Sequence, residues 1–109
     1  LIQGYLEKRR ALAGLLIVMD VRHPLKPGDV DLANWAADRG LPLHLVLTKA
    51  DKLGRGKQKE ALMKVRGQVD ESVGVQLFSA MTGQGLEELE AVMAGWLMND
   101  PAQPGFERP

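Results

Sequence analysis

The chain has 109 residues, of which 45% are hydrophobic and 26% charged, and its 14 basic residues balance 14 acidic ones, so net charge indicates no particular partner. This composition is typical of one soluble globular domain and excludes a disordered chain. The sequence has no cysteine and no apolar run close to the roughly 20 residues of a membrane span, which excludes a disulfide framework and a cysteine-bound metal and predicts a cytoplasmic protein without a membrane partner.

Helical and strand-like patterns alternate in chain order. Apolar side chains at helical spacing predict a helix before the first strand: Ile2, Tyr5, Leu6 and Leu12. Three continuous apolar runs follow, each typical of a strand buried on both faces of a parallel sheet: GLLIVMD (14–20), LPLHLVLT (41–48) and VGVQLFSA (73–80). After each of them a helix is predicted, over 29–39, 57–72 and 86–97, and a flexible, proline-rich tail covers 99–109.

This order of elements predicts an α/β fold in three layers, with a parallel sheet of three strands and about four helices on both faces. In such a sheet, ligands bind at the carboxyl ends of the strands. The residues at this rim belong to three loops, over 20–28, 48–56 and 79–85. Candidate functional residues are therefore expected in these loops.

The second loop opens with the tetrapeptide Thr48-Lys49-Ala50-Asp51. An aspartate at a strand end can accept two hydrogen bonds from guanine, one from N1–H and one from the 2-amino group, and adenine offers neither donor there. Lys49 can cover the purine with its methylene stem, and Thr48 can fasten the loop with its hydroxyl. A surface turn that holds Lys49 and Asp51 only for solubility is the alternative at this point.

The segment Phe78-Ser79-Ala80 ends the next strand and can supply the second half of a guanine pocket. Its small residues let the backbone approach a ligand, so that an N–H can meet the guanine O6, and Gly83 and Gly85 let the chain turn before the last helix. Neighbouring strands lie about 5 Å apart, a distance that one purine bridges. Either motif alone is weak evidence, whereas the pair on successive strands is strong.

Other polar residues favour structural roles. Asp20, Arg22 and His23 lie on the rim, but an acid–base pair or a metal site needs more partners than they provide, so an Arg–Asp contact within the loop is the preferred interpretation. His44 is interpreted as a core histidine with a hydrogen-bond partner, and the two tryptophans as packing residues of helices. No catalytic or metal-binding residue is predicted.

With these motifs, the sequence resembles the second half of a translation-factor-class P-loop GTPase domain, and it is most similar to the EngB (YihA/YsxC) family of bacterial ribosome-biogenesis GTP-binding proteins. The resemblance runs over about residues 3 to 98 and is carried by GYLEKRRALAGLLIVMDVRHPLKPGDVDLANWA, with its DVRHPLK turn, and by LTKADKLGRGKQ. It implies binding of GTP or GDP, with the guanine base recognised by Thr48, Lys49, Ala50, Asp51, Phe78, Ser79 and Ala80.

The other nucleotide-binding elements of the family are missing. No GxxxxGK[ST] phosphate loop occurs, and the family's magnesium-binding switch threonine and DxxG-type segment would precede Leu1. The resemblance therefore implies that residues 1–98 are the C-terminal part of a GTPase domain, without the ligands for phosphate and Mg²⁺. The chain alone is then expected to be inactive in GTP hydrolysis, as a fragment of its parent.

The resemblance also implies a role in maturing the large ribosomal subunit and a link to cell division and septation. Half of the basic residues lie between Lys49 and Arg66, whereas residues 70–106 carry no base. Basic residues of this middle segment could contact the phosphates of ribosomal RNA: Lys52, Arg55, Lys57, Lys59, Lys64 and Arg66. A solvated helix that exposes one charged face explains the same pattern.

Two functions stay open on sequence alone. The first is a GTP-binding protein of ribosome assembly, of which this chain is a part. The second is an interaction module that keeps a GTPase-like half-sheet and binds no nucleotide. Because the strand at 14–20 would lack a partner at its outer edge, self-association through this strand is a further expectation.

Overall fold

The computed structural model describes residues 14–98, and this part of the chain contains one parallel sheet and three α-helices. The strands, adjacent in this order, are β1 (Leu15–Asp20), β2 (Leu43–Thr48) and β3 (Gly74–Leu77). The helices are α1 (Pro27–Asp38), α2 (Arg55–Arg66) and α3 (Leu86–Met98), and a short 3-10 turn covers Ala50–Lys52. The predicted α/β fold is thereby confirmed. The helix predicted before the first strand and the tail 99–109 lie outside the described residues.

Helices cover both faces of the sheet, as predicted. One face forms the main core, where alternate strand residues pack with Ala36 of α1 and Val65 of α2: Leu15, Ile17, Met19, Leu45, Leu47 and Val75. The opposite face buries Val46 and carries α3, whose Trp96 side chain lies against Gly14. A strand buried on both faces needs apolar residues at nearly every position, which explains the continuous apolar run of β2, whereas β1 leaves its Val18 side chain 58% exposed.

The strand register brings all three carboxyl ends to one rim of the sheet. Asp20 at the end of β1 pairs with Thr48 at the end of β2, and Leu47 pairs with Leu77 of β3. Beyond β1, the Val21 N–H still donates to the Thr48 carbonyl at 3.0 Å. The three loops therefore begin side by side, at the edge where a parallel sheet binds ligands.

The helix predicted over 57–72 is shorter than expected, since α2 ends before Gly67. Asp70 then organises a turn: its carbonyl accepts the Val73 N–H at 2.9 Å, and its side chain accepts the N–H two residues on at 2.9 Å. Val69 and Val73 nevertheless pack against the main core. The two valines keep the spacing of a helical stripe, although they contact the core from a turn that lies after the end of α2.

The residues interpreted as structural do have packing roles. Trp35 packs against the main core, and the Arg39 guanidinium carbon lies 4.1 Å from the centre of its ring. His44 is 5% exposed, and its Nε2 lies 2.7 Å from Gln76 Oε1. The interpretation of His44 as a core histidine with a hydrogen-bond partner is therefore confirmed.

Gly83 and Gly85, in the loop before α3, provide a test of how closely this loop approaches the sheet. Both have a φ of +81°, so an alanine at either position is strained by about 1–2 kcal/mol. A Cβ at Gly85 would also overlap the Leu77 carbonyl oxygen, whereas a Cβ at Gly83 would meet nothing within 4 Å. Gly85→Ala should therefore lower the free energy of unfolding by a further 1–3 kcal/mol or so, about the cost of overpacking.

Urea unfolding of the two variants measures this difference. Gly83→Ala is the matched control, because it has the same backbone strain without the overlap. Equal destabilisation by the two substitutions would contradict a close approach of the loop to β3.

Candidate functional site

The turn that follows β2 is hydrogen-bonded to both neighbouring strands. The Thr48 hydroxyl donates to the Met19 carbonyl of β1 at 3.0 Å, which is the fastening role predicted for it. The Ala50 N–H donates to the Phe78 carbonyl beyond β3 at 3.0 Å. Between them, Lys49 has a left-handed backbone with a φ of 59°, which costs a non-glycine residue about 1–2 kcal/mol. The hydrogen bonds on either side maintain this conformation.

Asp51 joins the two sequence motifs through its carboxylate. Its Oδ1 accepts a hydrogen bond from the hydroxyl of Ser79 at 2.6 Å, and Ser79 is 0% exposed. This hydrogen bond is the main reason that the pKa of Asp51 lies below its ordinary value, with smaller contributions from the charges of Lys52 and Arg22. Asp51 is therefore ionised at neutral pH. Because a carboxylate has acceptor sites for about four hydrogen bonds, it keeps capacity for a ligand.

The 79–85 loop is closed by hydrogen bonds of its own. The Ser79 N–H donates to the Gln84 carbonyl at 3.0 Å, and the Gly83 N–H donates to the Ser79 carbonyl at 2.8 Å. Ala80 is exposed, and its N–H makes no hydrogen bond with a residue that the structure describes. This N–H is therefore not used by any other described residue.

A cleft of about 440 Å³ lies between the two loops. Most of the predicted recognition residues line it: Thr48, Lys49, Asp51, Phe78 and Ala80. The other two, Ala50 and Ser79, are buried and support the turn and the Asp51 carboxylate from behind. Three residues that were not predicted to lie at the base pocket also line the cleft: Arg22, Lys52 and Met81. They come from three different loops, so no single motif could have indicated them.

Asp20 and Arg22 form the predicted contact at the end of β1. The Arg22 guanidinium donates to both oxygens of the Asp20 carboxylate, at 2.8 and 3.0 Å, and the Arg22 backbone N–H adds a hydrogen bond of 2.8 Å. These hydrogen bonds hold the pKa of Asp20 well below its ordinary value. The Lys49 ammonium lies 4.0 Å from the same carboxylate. Asp20 therefore connects the first loop to the lysine that is predicted to cover a purine.

Gln58 of α2, the last residue of the segment LTKADKLGRGKQ, connects the two loops of the cleft, a role that the sequence analysis did not predict. Its Nε2 donates to the carbonyls of Ala50 at 2.7 Å and Leu53 at 2.9 Å. Its Oε1 accepts a hydrogen bond from Gln84 Nε2 at 3.0 Å, across a sequence separation of 26 residues. Only the tertiary fold brings these side chains together.

The basic residues predicted to contact RNA do not form one surface. Three of them, Lys57, Lys59 and Lys64 of α2, line a groove of about 980 Å³ between this helix and the loop after β1. Lys52 lines the smaller cleft instead. The Arg66 guanidinium donates to the backbone carbonyl of a β3 residue at 3.4 Å. The three lysines of α2 are therefore the members of the set that share a groove.

No helix among residues 14–98 is long and apolar enough to cross a membrane. Within the same part of the chain, no three or more side chains of His, Cys, Asp or Glu come together in a way that could hold a metal ion.

The chain is similar in sequence to GTP-binding proteins called EngB. It is 49% identical, over 97% of its length, to the probable GTP-binding protein EngB of Xanthomonas axonopodis pv. citri, and 46% identical, over 88% of its length, to that of Xylella fastidiosa. The chain spans about half the length of these relatives, 51% and 49% respectively. No family model matches the chain.

Two solved structures have a similar fold. The translation elongation factor SelB of Methanococcus maripaludis, in complex with the GTP analogue GppNHp, matches 81% of this chain with 21% of its own, at a TM-score of 0.69 and 24% identity. GDP-bound aIF5B of Aeropyrum pernix matches 93% of this chain with 24% of its own, at a TM-score of 0.68 and 17% identity. At these identities, the likeness concerns the fold alone.

Replacement of Asp20 by asparagine should change how stability depends on pH. Because the pKa of Asp20 in the folded chain lies below its ordinary value of 3.8, its carboxylate stabilises the fold above that pH, and this contribution is lost as the pH falls through the folded value. The difference in the free energy of unfolding between wild type and Asp20→Asn should therefore shrink as the pH falls from about 5 to about 2.

Urea unfolding at several pH values measures this difference. Asp38→Asn, an exposed acid at the end of α1, is the control for the loss of one negative charge. A difference between wild type and Asp20→Asn that stays constant with pH would contradict the ion-pair role of Asp20.

Proposed function

This chain belongs to the EngB family of GTP-binding proteins, and we propose that it holds the guanine base of GTP or GDP in the cleft between its two loops. The observation that carries the proposal is the Asp51 carboxylate, which lines the cleft and accepts the Ser79 hydroxyl at 2.6 Å. The lowered pKa of Asp51 keeps it ionised at neutral pH, as an acceptor for N–H donors requires.

Recognition of guanine follows from the donors and acceptors of the base. Asp51 accepts hydrogen bonds from N1–H and from the 2-amino group, and a charge-assisted pair of this kind contributes about 1.5–3 kcal/mol. Adenine has no donor at these two positions and would leave the carboxylate unpaired, which disfavours it. The Ala80 N–H meets the guanine O6, and the stem of Lys49 covers the ring.

Phosphate binding and hydrolysis belong, in this proposal, to parts of the longer relatives that this chain does not span. Residues 1–98 are then the C-terminal part of a GTPase domain, and the Mg²⁺ ligands lie in the other part. Contacts to the base alone give weak affinity, at about millimolar concentrations of GDP. The chain by itself is therefore expected to bind nucleotide weakly and not to hydrolyse GTP.

The proposal extends to a cytoplasmic role in assembling the large ribosomal subunit. Its support is the groove lined by Lys57, Lys59 and Lys64, since ammonium groups along a groove fit the phosphates of RNA. The link to cell division and septation is supported by the family resemblance alone.

An interaction module without nucleotide binding is the second candidate. Within the described residues, β1 pairs with β2 only, so its outer edge carries backbone groups without strand partners. The Val18 side chain on this strand is 58% exposed. A second copy of the chain could add a strand there, as exposed edges allow.

The salt dependence of ribosome binding tests the RNA contact. Replacement of Lys57, Lys59 and Lys64 by alanine should flatten the plot of log affinity for the large ribosomal subunit against log salt concentration, by about 0.7–0.9 for each phosphate that is no longer neutralised. Lys26→Ala, which removes an exposed charge at the start of α1, is the control. An unchanged slope in the triple variant would remove the RNA contact from the proposal.

A titration of the chain with GDP and, separately, with ADP distinguishes the two candidate functions. Guanine recognition predicts shifts of amide NMR signals at Thr48, Lys49, Asp51, Ser79 and Ala80 with GDP alone, and Asp51→Asn should abolish them because an amide replaces one acceptor with a donor. A folded chain whose amide signals shift with neither nucleotide, and which sediments as a dimer, would support the interaction module instead.

A further inference from the structure

We propose that Gln58 is a positioning residue that sets the spacing of the two loops and thereby the selectivity of the cleft for guanine. This inference rests on the guanine recognition proposed above. Gln58 does not line the cleft, so it would not touch the base. It acts through the hydrogen bonds of its side-chain amide to both loops.

The chemistry of the partners determines how the Gln58 amide is oriented. The backbone carbonyls of Ala50 and Leu53 can only accept, so the NH₂ group must face them, at 2.7 and 2.9 Å. The amide oxygen then faces Gln84, whose own NH₂ group donates at 3.0 Å. Both N–H groups and the oxygen of Gln58 are thus satisfied, which holds the side chain in one orientation. A binding group such as the Asp51 carboxylate is positioned precisely only when the side chains that support it are themselves held in one orientation.

The hydrogen bonds of Gln58 reach residues that hold each partner of the Asp51–Ser79 contact. Asp51 lies in the 3-10 turn that begins at Ala50 and is followed by Leu53. By donating to the carbonyls of these two residues, Gln58 holds both ends of the turn in place. On the other loop, the Gln84 carbonyl accepts the Ser79 N–H at 3.0 Å. A displacement of Gln58 would therefore move the carboxylate and the hydroxyl relative to each other.

A residue that only stabilised α2 would behave differently. Gln58 lies in the first turn of this helix, where its N–H donates to the Gly54 carbonyl at 2.9 Å, and that hydrogen bond does not involve its side chain. Loss of helix stability alone would lower the free energy of unfolding, but it would leave the arrangement of the two cleft loops in the folded chain unchanged. Loss of positioning would change the surroundings of Asp51 in the folded chain.

The first experiment measures the carboxyl pKa values of the nucleotide-free chain by carbon NMR. Gln58→Met keeps a side chain of similar length without hydrogen-bonding groups, and it should raise the pKa of Asp51 toward its ordinary value of 3.8, because the Ser79 hydrogen bond weakens. The pKa of Asp20, held by Arg22, should not change, which provides an internal control. Gln68→Met, at an exposed position after α2, is the matched glutamine control.

The second experiment titrates the same variants with GDP and with ADP. In Gln58→Met, the dissociation constant of GDP should rise about fivefold to tenfold, the effect expected when one hydrogen bond to the base is removed, and ADP should still cause no shifts. Gln84→Met, which leaves the turn of Asp51 closed, should have a smaller effect in the same direction. If Gln58→Met does not fold, the same measurements on Gln84→Met test the inference.

The outcomes separate this inference from the proposed function. An Asp51 pKa and a GDP dissociation constant that are unchanged in both variants would overturn the positioning role. A wild-type chain that ignores both nucleotides would overturn the guanine site, and the Asp51 pKa would then still decide whether Gln58 sets the spacing of the loops.

Discussion

The site depends on two backbone hydrogen bonds that continue the pairing of β2 with β3 beyond the ends of the strands. The Phe78 N–H donates to the Leu47 carbonyl at 2.8 Å, and the Phe78 carbonyl accepts the Ala50 N–H at 3.0 Å. Together they hold the first residues of the two loops about one strand spacing apart, roughly 5 Å. The hydrogen bond between Ser79 and Asp51, and the cleft beside it, are possible only at this spacing.

The two aspartates at the end of β1 and after the end of β2 differ in how many hydrogen bonds their carboxylates accept within the chain. Asp20 receives three hydrogen bonds from Arg22 and has the Lys49 ammonium nearby, so its acceptor capacity is used within the chain. Asp51 receives one side-chain hydrogen bond, from Ser79, and lies at the cleft. Both carboxyl groups have lowered pKa values, because hydrogen bonding to the charged form outweighs desolvation in each case. One carboxylate is thus structural, whereas the other keeps acceptors for a ligand.

Much of the fold could be predicted because buried strands and amphipathic helices have different periodicities. The strands, the order of elements and the core role of His44 follow from patterns within short windows. The end of α2 could not be predicted in this way, since Val69 and Val73 keep the spacing of a helical stripe while a turn organised by Asp70 replaces the helix. The helix itself ends at its cap residue Gly67, and the hydrogen bonds of Asp70 shape the turn that follows.

The sequence by itself determined which residue types stand at the rim, because strand ends and loops are marked locally by apolar runs, glycines and the Thr48-Lys49-Ala50-Asp51 tetrapeptide. Only the tertiary structure decided which carboxylate is left open and that Gln58 joins the two loops. These outcomes depend on partners 26 and 28 positions apart, such as Gln84 for Gln58 and Ser79 for Asp51. Hydrogen bonds over such separations arise from the packing of helices and strands, and no local periodicity encodes them.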